Sequence, residues 1–420
     1  HGGCMTEPAA ALERTPSDSE LGALAELATD GFAATVTRVQ EVHEAIARRS
    51  FGSTGLASSG PRAAHDAIAG AIYAGVRGAG ALLGTGLARG VCAAVGGARI
   101  SDDPRGRVAQ GAINGLLGDR LEAAANALAV PMSIRVGGRD VPAVPHALAA
   151  AFPDATARPV VFVHGLCESD AAWSIRAQRH RGTTYATRIV PDVGGTAVTI
   201  RYNTGLRVSE NGRRLAALLE ALVAAWPVPL AGLALVGHSM GGLVIRSAGH
   251  AGTERGHRWP EAVDATIALG TPHLGAPLAQ AAHVATWALN AVAESRPFGA
   301  VLAARSAGIR DLRHGTLLDA EWEALDPDAL RGFERADVPL LPGARHHVVA
   351  ATLASSPEHA LARIIGDLLV LTPSAHGMQD RRRAIAFEDD DCGHVGGHHH
   401  FDLLNSPALD DRLRTWLSAA

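Results

Sequence analysis

The chain contains no lysine. All 38 of its basic side chains are therefore arginine; with 42 Asp and Glu the net charge is −4. Together with the excess of Ala and Gly, this bias points to a GC-rich coding sequence more than to chemistry. The mild acidity gives no general reason to expect nucleic acid as a partner. The four cysteines, Cys4, Cys92, Cys167 and Cys392, lie far apart without C-x-x-C spacing, which indicates neither a zinc knuckle nor a disulfide framework. Long apolar runs are also missing. The most apolar stretch, Ala67 to Gly97, is broken by Arg77 and Arg89, so its uncharged runs are too short to span a bilayer. No basic-then-apolar signal segment begins at Met5, and a cytoplasmic protein is expected, with His1 to Cys4 a vector remnant or the tail of a longer precursor. Secretion follows only if a segment ahead of His1 has been removed.

What is present is a globular composition, 47% hydrophobic and 19% charged. A chain of 420 residues has room for one large α/β domain and an appendage of about a hundred residues.

The most informative stretch is Leu233-Ala-Leu-Val-Gly-His-Ser-Met-Gly-Gly-Leu-Val-Ile-Arg246. An apolar run leads into Gly237-His238-Ser239-Met240-Gly241, and a helical pattern follows. Strand, sharp turn and helix form the context in which G-x-S-x-G acts as a nucleophile elbow. The serine takes a strained backbone conformation, and side chains at Gly237 or Gly241 would collide with strand or helix. A serine between two glycines is otherwise often only a turn; the strand before it, the helix after it and the partners below favour a nucleophile.

In chain order, Leu21 to Arg49 carries apolar residues at helical spacing (Leu24, Leu27, Val36 and Ile46 among them) and reads as an amphipathic helix. A Gly-, Ser- and Pro-rich loop precedes two small-residue helices over Ala63 to Val95. Ser101-Asp-Asp-Pro104 is a break, and Gly106 to Leu128 returns to helical spacing. This N-terminal region, residues 1–130, is expected to pack on the remainder of the chain; weak contact with a lipid or polymer surface is the alternative, disfavoured by its few basic and aromatic anchors. Pro131 to Pro142, turning at Gly137-Gly138, predicts a β-hairpin.

From there, Pro159–Val163, Thr196–Tyr202, Val263–Leu269, His346–Leu353 and Arg383–Phe387 read as further strands. Ser209 is the expected N-cap of a helix reaching Ala225. Residues 278–335 contain helical pieces without a strand, the pattern of an insertion capping a site. The alternation predicts a doubly wound, mostly parallel sheet over residues 131–420.

With these motifs in order, the chain resembles the α/β-hydrolase superfamily, and within it bacterial lipases and esterases and the GPI-inositol-deacylase-like hydrolases. The resemblance rests on Val163-His-Gly-Leu166, Gly237-His-Ser-Met-Gly-Gly242, Gly270-Thr-Pro-His-Leu-Gly-Ala-Pro277, Gly366-Asp-Leu-Leu-Val370 and His400-Phe-Asp-Leu-Leu404. It covers residues 160–420; the first 150 or so have no comparably sharp match.

A serine hydroxyl is a poor nucleophile at neutral pH, so Ser239 needs a base that takes its proton and later returns it. In this fold the order is serine, acid, histidine. Five histidines compete near the end, His376, His394, His398, His399 and His400. The resemblance implies His400, which precedes the Phe401-Asp-Leu-Leu404 anchor, with His398 and His399 as its rivals. The run of histidines near the acidic Glu388–Asp391 segment is also a conceivable metal site, although adjacent loop histidines rarely converge on one ion; neither metal nor organic cofactor is expected. The acid expected to orient His400 is Asp367, with Asp390, Asp391 and Glu358 as alternatives.

The resemblance further implies an oxyanion hole from the backbone N–H groups of Leu166 and Met240, and a structural role for His164. Cys167 has no elbow of its own and is not expected to compete with Ser239. Leu166, Met240, Leu274 and the insertion (Trp287, Leu289, Phe298, Leu302) are candidates to line an acyl pocket, Leu274 and Trp287 foremost, although such apolar stripes are more often core. The chemistry implied is a serine carboxylic ester hydrolase acting on a small-molecule or lipid ester. A polyester depolymerase or acyltransferase on the same triad, and a non-enzymatic lipid- or granule-surface protein, are the alternatives.

Overall fold

The computed structural model describes residues 19–52, 99–276, 305–323, 333–356, 366–379 and 382–418, with scattered positions between 63 and 81 and at 359. The two helices predicted over Ala63–Val95 lie largely outside these residues, as does Trp287.

Eight strands form one sheet: β1 (Ser133–Val136), β2 (Arg139–Val141), β3 (Pro159–Val163), β4 (Thr196–Arg201), β5 (Leu233–His238), β6 (Val263–Leu269), β7 (Arg345–Thr352) and, two short pieces later, β10 (Cys392–Gly396). Their order across the sheet is β10-β7-β6-β5-β3-β4-β1-β2. From β4 to β10 every neighbouring pair is parallel; β1 alone runs against the rest, pairing antiparallel with β2 and β4. Strands β8 (Met378–Gln379) and β9 (Arg382–Arg383) form a separate small hairpin.

The central strands are buried on both faces, as parallel strands covered by helices must be. Val161 and Val163 of β3 face a cluster with Leu215, Leu219, Leu243 and Trp259. Val160 and Phe162 face the opposite one, with Trp173, Leu403, Leu413 and Trp416. After β3 the chain builds β4 on one side, then crosses back to place β5 on the other. The reversal makes a topological switch point at the carboxyl ends of β3 and β5, the place where ligands bind in sheets of this type. This is the α/β-hydrolase fold, with a helical region ahead of it.

That region contributes α1 (Glu20–Gly52) and α2 (Pro104–Ala123). Asp103 caps α2 by accepting the N–H groups of Arg105 (2.7 Å) and Gly106 (3.2 Å), and Pro104 occupies the first helical position, where its missing N–H costs nothing. One face of α2 presents Gly111, Gly115 and Gly118 to the body of the protein. A methyl group at these positions would collide with the Glu168 carbonyl, with Cys167 and with the Asn203 side chain, respectively.

Two expectations need correction. The helix α3 (Val208–Ala225) starts earlier than a Ser209 cap allows; Arg207 is its N-cap residue. Its Val208 N–H is met by Asp311 Oδ2 at 2.8 Å, from a helix 103 residues further along the chain, while Ser209 Oγ donates to Asp319 at 2.5 Å. The cap comes from a distant segment, which local sequence does not reveal. The last strand is β10, not Arg383–Phe387. Arg382 and Arg383 pair with the β8 turn; Ile385 and Phe387 pack with Ala268, Val348 and Leu274; and the acidic run 389–391 is a single tight turn leading into β10. With glycines at 393 and 396, β10 has weak intrinsic strand preference and forms because β7 presents an open edge.

Candidate active site

Each functional side chain hangs from a carboxyl end of the parallel sheet. After β5 the chain turns sharply into α4 (Met240–Glu254), with Ser239 at the corner in a strained conformation, φ 52° and ψ −122°. A positive φ is costly for a side-chain-bearing residue, and such strain persists only where surroundings over-determine it. Here they do: the Ser239 N–H donates to Leu269 O at 2.8 Å, and Gly242 N–H to Ser239 O at 3.2 Å. A methyl group at Gly237 would strike Gly242 of the helix, and one at Gly241 the end of β3, so both positions need glycine.

The acid comes from the turn after β7. Gly366 (φ 54°) opens it, and the Asp367 carboxylate closes it by accepting the N–H groups of Leu369 (2.9 Å) and Val370 (2.7 Å) through Oδ1. This Asx-type turn leaves Oδ2 free to accept from His400 Nδ1 at 2.7 Å. The His400 N–H also donates to Asp367 O, 3.1 Å away. Both residues are nearly inaccessible, 2% and 1% exposed. With Nδ1 held as donor, Nε2 is the free basic nitrogen of the neutral ring; it is buried and has no hydrogen-bond partner among the described residues.

The His400 ring lies over the ends of β5 and β6. A Cβ on Gly270 would stand 3.1 Å from its Cε1 and Nδ1, and its centroid is 4.8 Å from that of His238. Leu403 and Leu404 anchor the segment in the core. The competing histidines are occupied elsewhere. His398 engages Gly396 O and Ser406, and His399 engages Arg176 and Asp402. His376 reaches Gly393 O, while His394 meets Thr352. Among the rival acids, Asp390 is exposed, Asp391 pairs with Arg345 and His347, and Glu358 lies outside the described residues.

The loop after β3 faces the elbow so closely that a Cβ on Gly165 would stand 2.9 Å from Ser239 Cβ. Leu166 follows it, half-buried, and Met240 is fully buried at the start of α4. His164 holds the base of this loop. Its Nδ1 lies 3.0 Å from Gly165 O, its Nε2 accepts the Tyr202 N–H at 3.3 Å, and the Tyr202 hydroxyl donates to its carbonyl at 2.8 Å. That pattern needs a neutral imidazole, and burial holds its pKa below the ordinary value. Burial likewise pushes the Cys167 thiol up to about 11, leaving it unreactive.

Two further residues belong to the site and have no counterpart in the sequence reading. Glu168 places Oε2 2.6 Å from the Gly165 nitrogen as acceptor, and Oε1 2.9 Å from His238 Nδ1. The only sequence signal is a carboxylate three residues after His-Gly and a histidine before the elbow serine, and neither names the other.

Of the predicted acyl contacts, Leu274 is half-buried against the Ala268, Val348, Ile385 and Phe387 cluster, and its N–H donates to Ser374 at 3.1 Å. The described part of the 278–335 segment comes close to the elbow: Gly308, in α5 (Ala307–Asp311), packs so that a Cβ there would stand 3.2 Å from Met240 Cε. Among the described residues no group of three or more His, Cys, Asp or Glu side chains is arranged to hold a metal ion, and no helix is long and apolar enough to cross a membrane.

Residues 155–316 match the model of a protein family described as "Putative serine esterase (DUF676)". The match includes the loop after β3 and the elbow and stops short of Asp367 and His400. No curated protein matches the chain. Among solved structures, the mature form of the Bacillus licheniformis lipase BlEst2 is 19% identical over 69% of this chain and 100% of its own, with a TM-score of 0.40. An esterase of Pyrobaculum calidifontis is 16% identical over 63% of this chain and 78% of its own (TM-score 0.34). The metagenomic carboxyl esterase MGS0156 is 15% identical over 58% and 65% (TM-score 0.31). The chain is thus similar in part to serine esterases.

Proposed function

We propose that this protein is a serine carboxylic ester hydrolase. The observation that carries the reading is the buried Asp367–His400 hydrogen bond, its outer nitrogen unpartnered among the described residues, together with a serine held at φ 52° on an elbow. The partial match to a serine esterase family supports an ester over an amide.

In the proposed reaction, His400 Nε2 takes the Ser239 proton as Oγ bonds to the acyl carbon. Asp367 keeps the ring in the tautomer that leaves Nε2 basic and stabilises the imidazolium formed. The negative charge on the former carbonyl oxygen is met by the N–H groups of Leu166 and Met240 and favoured by the positive end of α4. Collapse expels the alcohol, which takes the proton from His400; water then attacks the acyl-enzyme by the same route and releases the acid. Leu274 and Trp287 are proposed acyl contacts. Residues 1–130 are proposed as a helical region, 131–420 as the catalytic domain and 278–335 as its cap. The chemistry needs neither metal nor cofactor.

The test is hydrolysis of p-nitrophenyl esters of increasing acyl length by the wild type, Ser239→Ala and His400→Ala. Both variants are expected to lose at least about a thousandfold in kcat/KM, since triad members act as a unit. The acyl-length optimum separates esterase from lipase. Retention of activity by Ser239→Ala sinks the reading.

A further inference from the structure

Glu168 takes no part in the acylation steps, yet it stands among the groups that carry them out. Its side chain is 7% exposed and that of His238 is 0% exposed. Replacing such a buried pair with apolar residues is often neutral or stabilising, so the pair is weak evidence of a stabilising role. Position is what it supplies. Through Oε2 the carboxylate holds the Gly165 N–H, one residue before Leu166; through Oε1 it holds the imidazole immediately before Ser239. His238 Nε2 in turn lies 3.5 Å from His400 O. One carboxylate therefore ties together the loop after β3, the end of β5 and the backbone of the base. Gly111 of α2 backs the arrangement, lying against the Glu168 carbonyl.

We propose that Glu168 is a positioning residue for the oxyanion hole: by gripping Gly165 N–H and His238 together, it fixes the Leu166 amide relative to Ser239. The proposal rests on the ester-hydrolase reading above.

The charge state of the pair fits this role. His238 is faced by Glu168, Asp367 and the His400 ring, and Glu168 by His238 and His164. Burial opposes both charges, but the mutual attraction prevails: it lifts His238 above 6.5 and holds Glu168 below 4.5. While His238 is protonated, its imidazolium cancels the carboxylate, which would otherwise repel the charge forming in the oxyanion hole. As pH rises through the raised His238 pKa, that cancellation is lost and the rate falls.

The experiment compares the wild type, Ser239→Ala, Glu168→Gln and Glu168→Ala, with folding checked by circular dichroism and thermal melting. kcat and KM for a p-nitrophenyl ester are measured separately from about pH 6 to 9, a range that brackets the ordinary histidine pKa and the region above it. Glu168→Ala is expected to lose about 10- to 100-fold in kcat, with KM within about twofold, because a transition-state contact is loosened and ground-state binding is not. Glu168→Gln keeps an acceptor for Gly165 and is neutral. It is expected to retain kcat within about tenfold and to lose the high-pH fall seen in the wild type. A folded Glu168→Ala enzyme with wild-type kcat, or one whose loss lies in KM alone, overturns the proposal. If Glu168→Ala does not fold, Glu168→Gln decides: the wild-type high-pH limb surviving in it overturns the proposal equally. Activity persisting in Ser239→Ala defeats the ester-hydrolase reading itself, a different failure read from a different variant.

Discussion

Two carboxylate–imidazole pairs lie at the carboxyl ends of the parallel strands, and they are nearly superimposable as chemistry. Asp367 Oδ2 lies 2.7 Å from His400 Nδ1, and Glu168 Oε1 lies 2.9 Å from His238 Nδ1. All four side chains are buried. What separates them is the far nitrogen. His400 Nε2 has no hydrogen-bond partner among the described residues, whereas His238 Nε2 lies 3.5 Å from the His400 carbonyl. The carboxylates differ too. Asp367 spends its second oxygen on the N–H groups of its own turn, while Glu168 spends it on another loop. A histidine with a free outer nitrogen can move a proton; one whose outer nitrogen faces a backbone carbonyl is placed to hold its neighbours instead. Function follows from what the unused atoms face, not from the pair itself.

The contrast can be broken by experiment. The largest effect belongs to His400→Ala, at least about a thousandfold in kcat, whereas His238→Gln is expected to cost no more than about a hundredfold. Comparable losses from ester-hydrolysis kinetics on the two variants would erase the distinction. Next come the matched amide replacements. Asp367→Asn disturbs the tautomer of the base and is expected to lower kcat by about 10³- to 10⁴-fold. Glu168→Gln, measured in the same assay, should fall short of that loss by at least about a hundredfold.

Smaller again is the effect of Gly115→Leu. Its side chain would collide with Cys167, beside the Glu168 strut, and overpacking of this kind costs about 1–3 kcal/mol. Chemical denaturation should report the stability loss, and a several-fold drop in kcat should accompany it.

The smallest effect concerns a third buried carboxylate, Asp311, which pairs with Arg207 and caps α3. Burial raises its pKa from 3.8 to about 6 despite Arg207, so the folded protein binds this proton more tightly than the unfolded chain. Its contribution is therefore fully present below pH 3.8 and lost as pH rises through about 6. Melting curves of the wild type and Asp311→Asn should show the wild type losing relative stability across that window; a pH-independent difference would contradict the direction of the shift.

How much of this could be read from the residues depended on distance along the chain. The elbow was legible because Gly237 to Gly241 is contiguous and each glycine answers a local collision. Asp367 and His400 were reachable only through their order after the serine, together with the apolar anchor at Leu403 and Leu404; the structure brings the two into hydrogen-bond contact. β10 is not legible because Cys-Gly-His-Val-Gly carries a single β-branched residue, Val395, among two glycines, and it forms where β7 offers it an edge. The Asp311 cap on α3 and the Glu168–His238 pair join residues 103 and 70 positions apart. In the second case only the adjacency of β3 and β5 brings them together, and no periodicity encodes that.

The glycine face of α2 has one more consequence. It lies against the Glu168 carbonyl, Cys167 and Asn203, and Ser306 Oγ donates to its Gly115 carbonyl at 2.6 Å. With no side chain on the helix side, the α2 backbone bears directly on these neighbours, so a displacement of the helix presses on the loop. Any two settings of the loop that move the helix would link the two surfaces thermodynamically. A molecule that binds α2 and favours one setting of the loop alters substrate affinity, and substrate alters that molecule's affinity by the same factor.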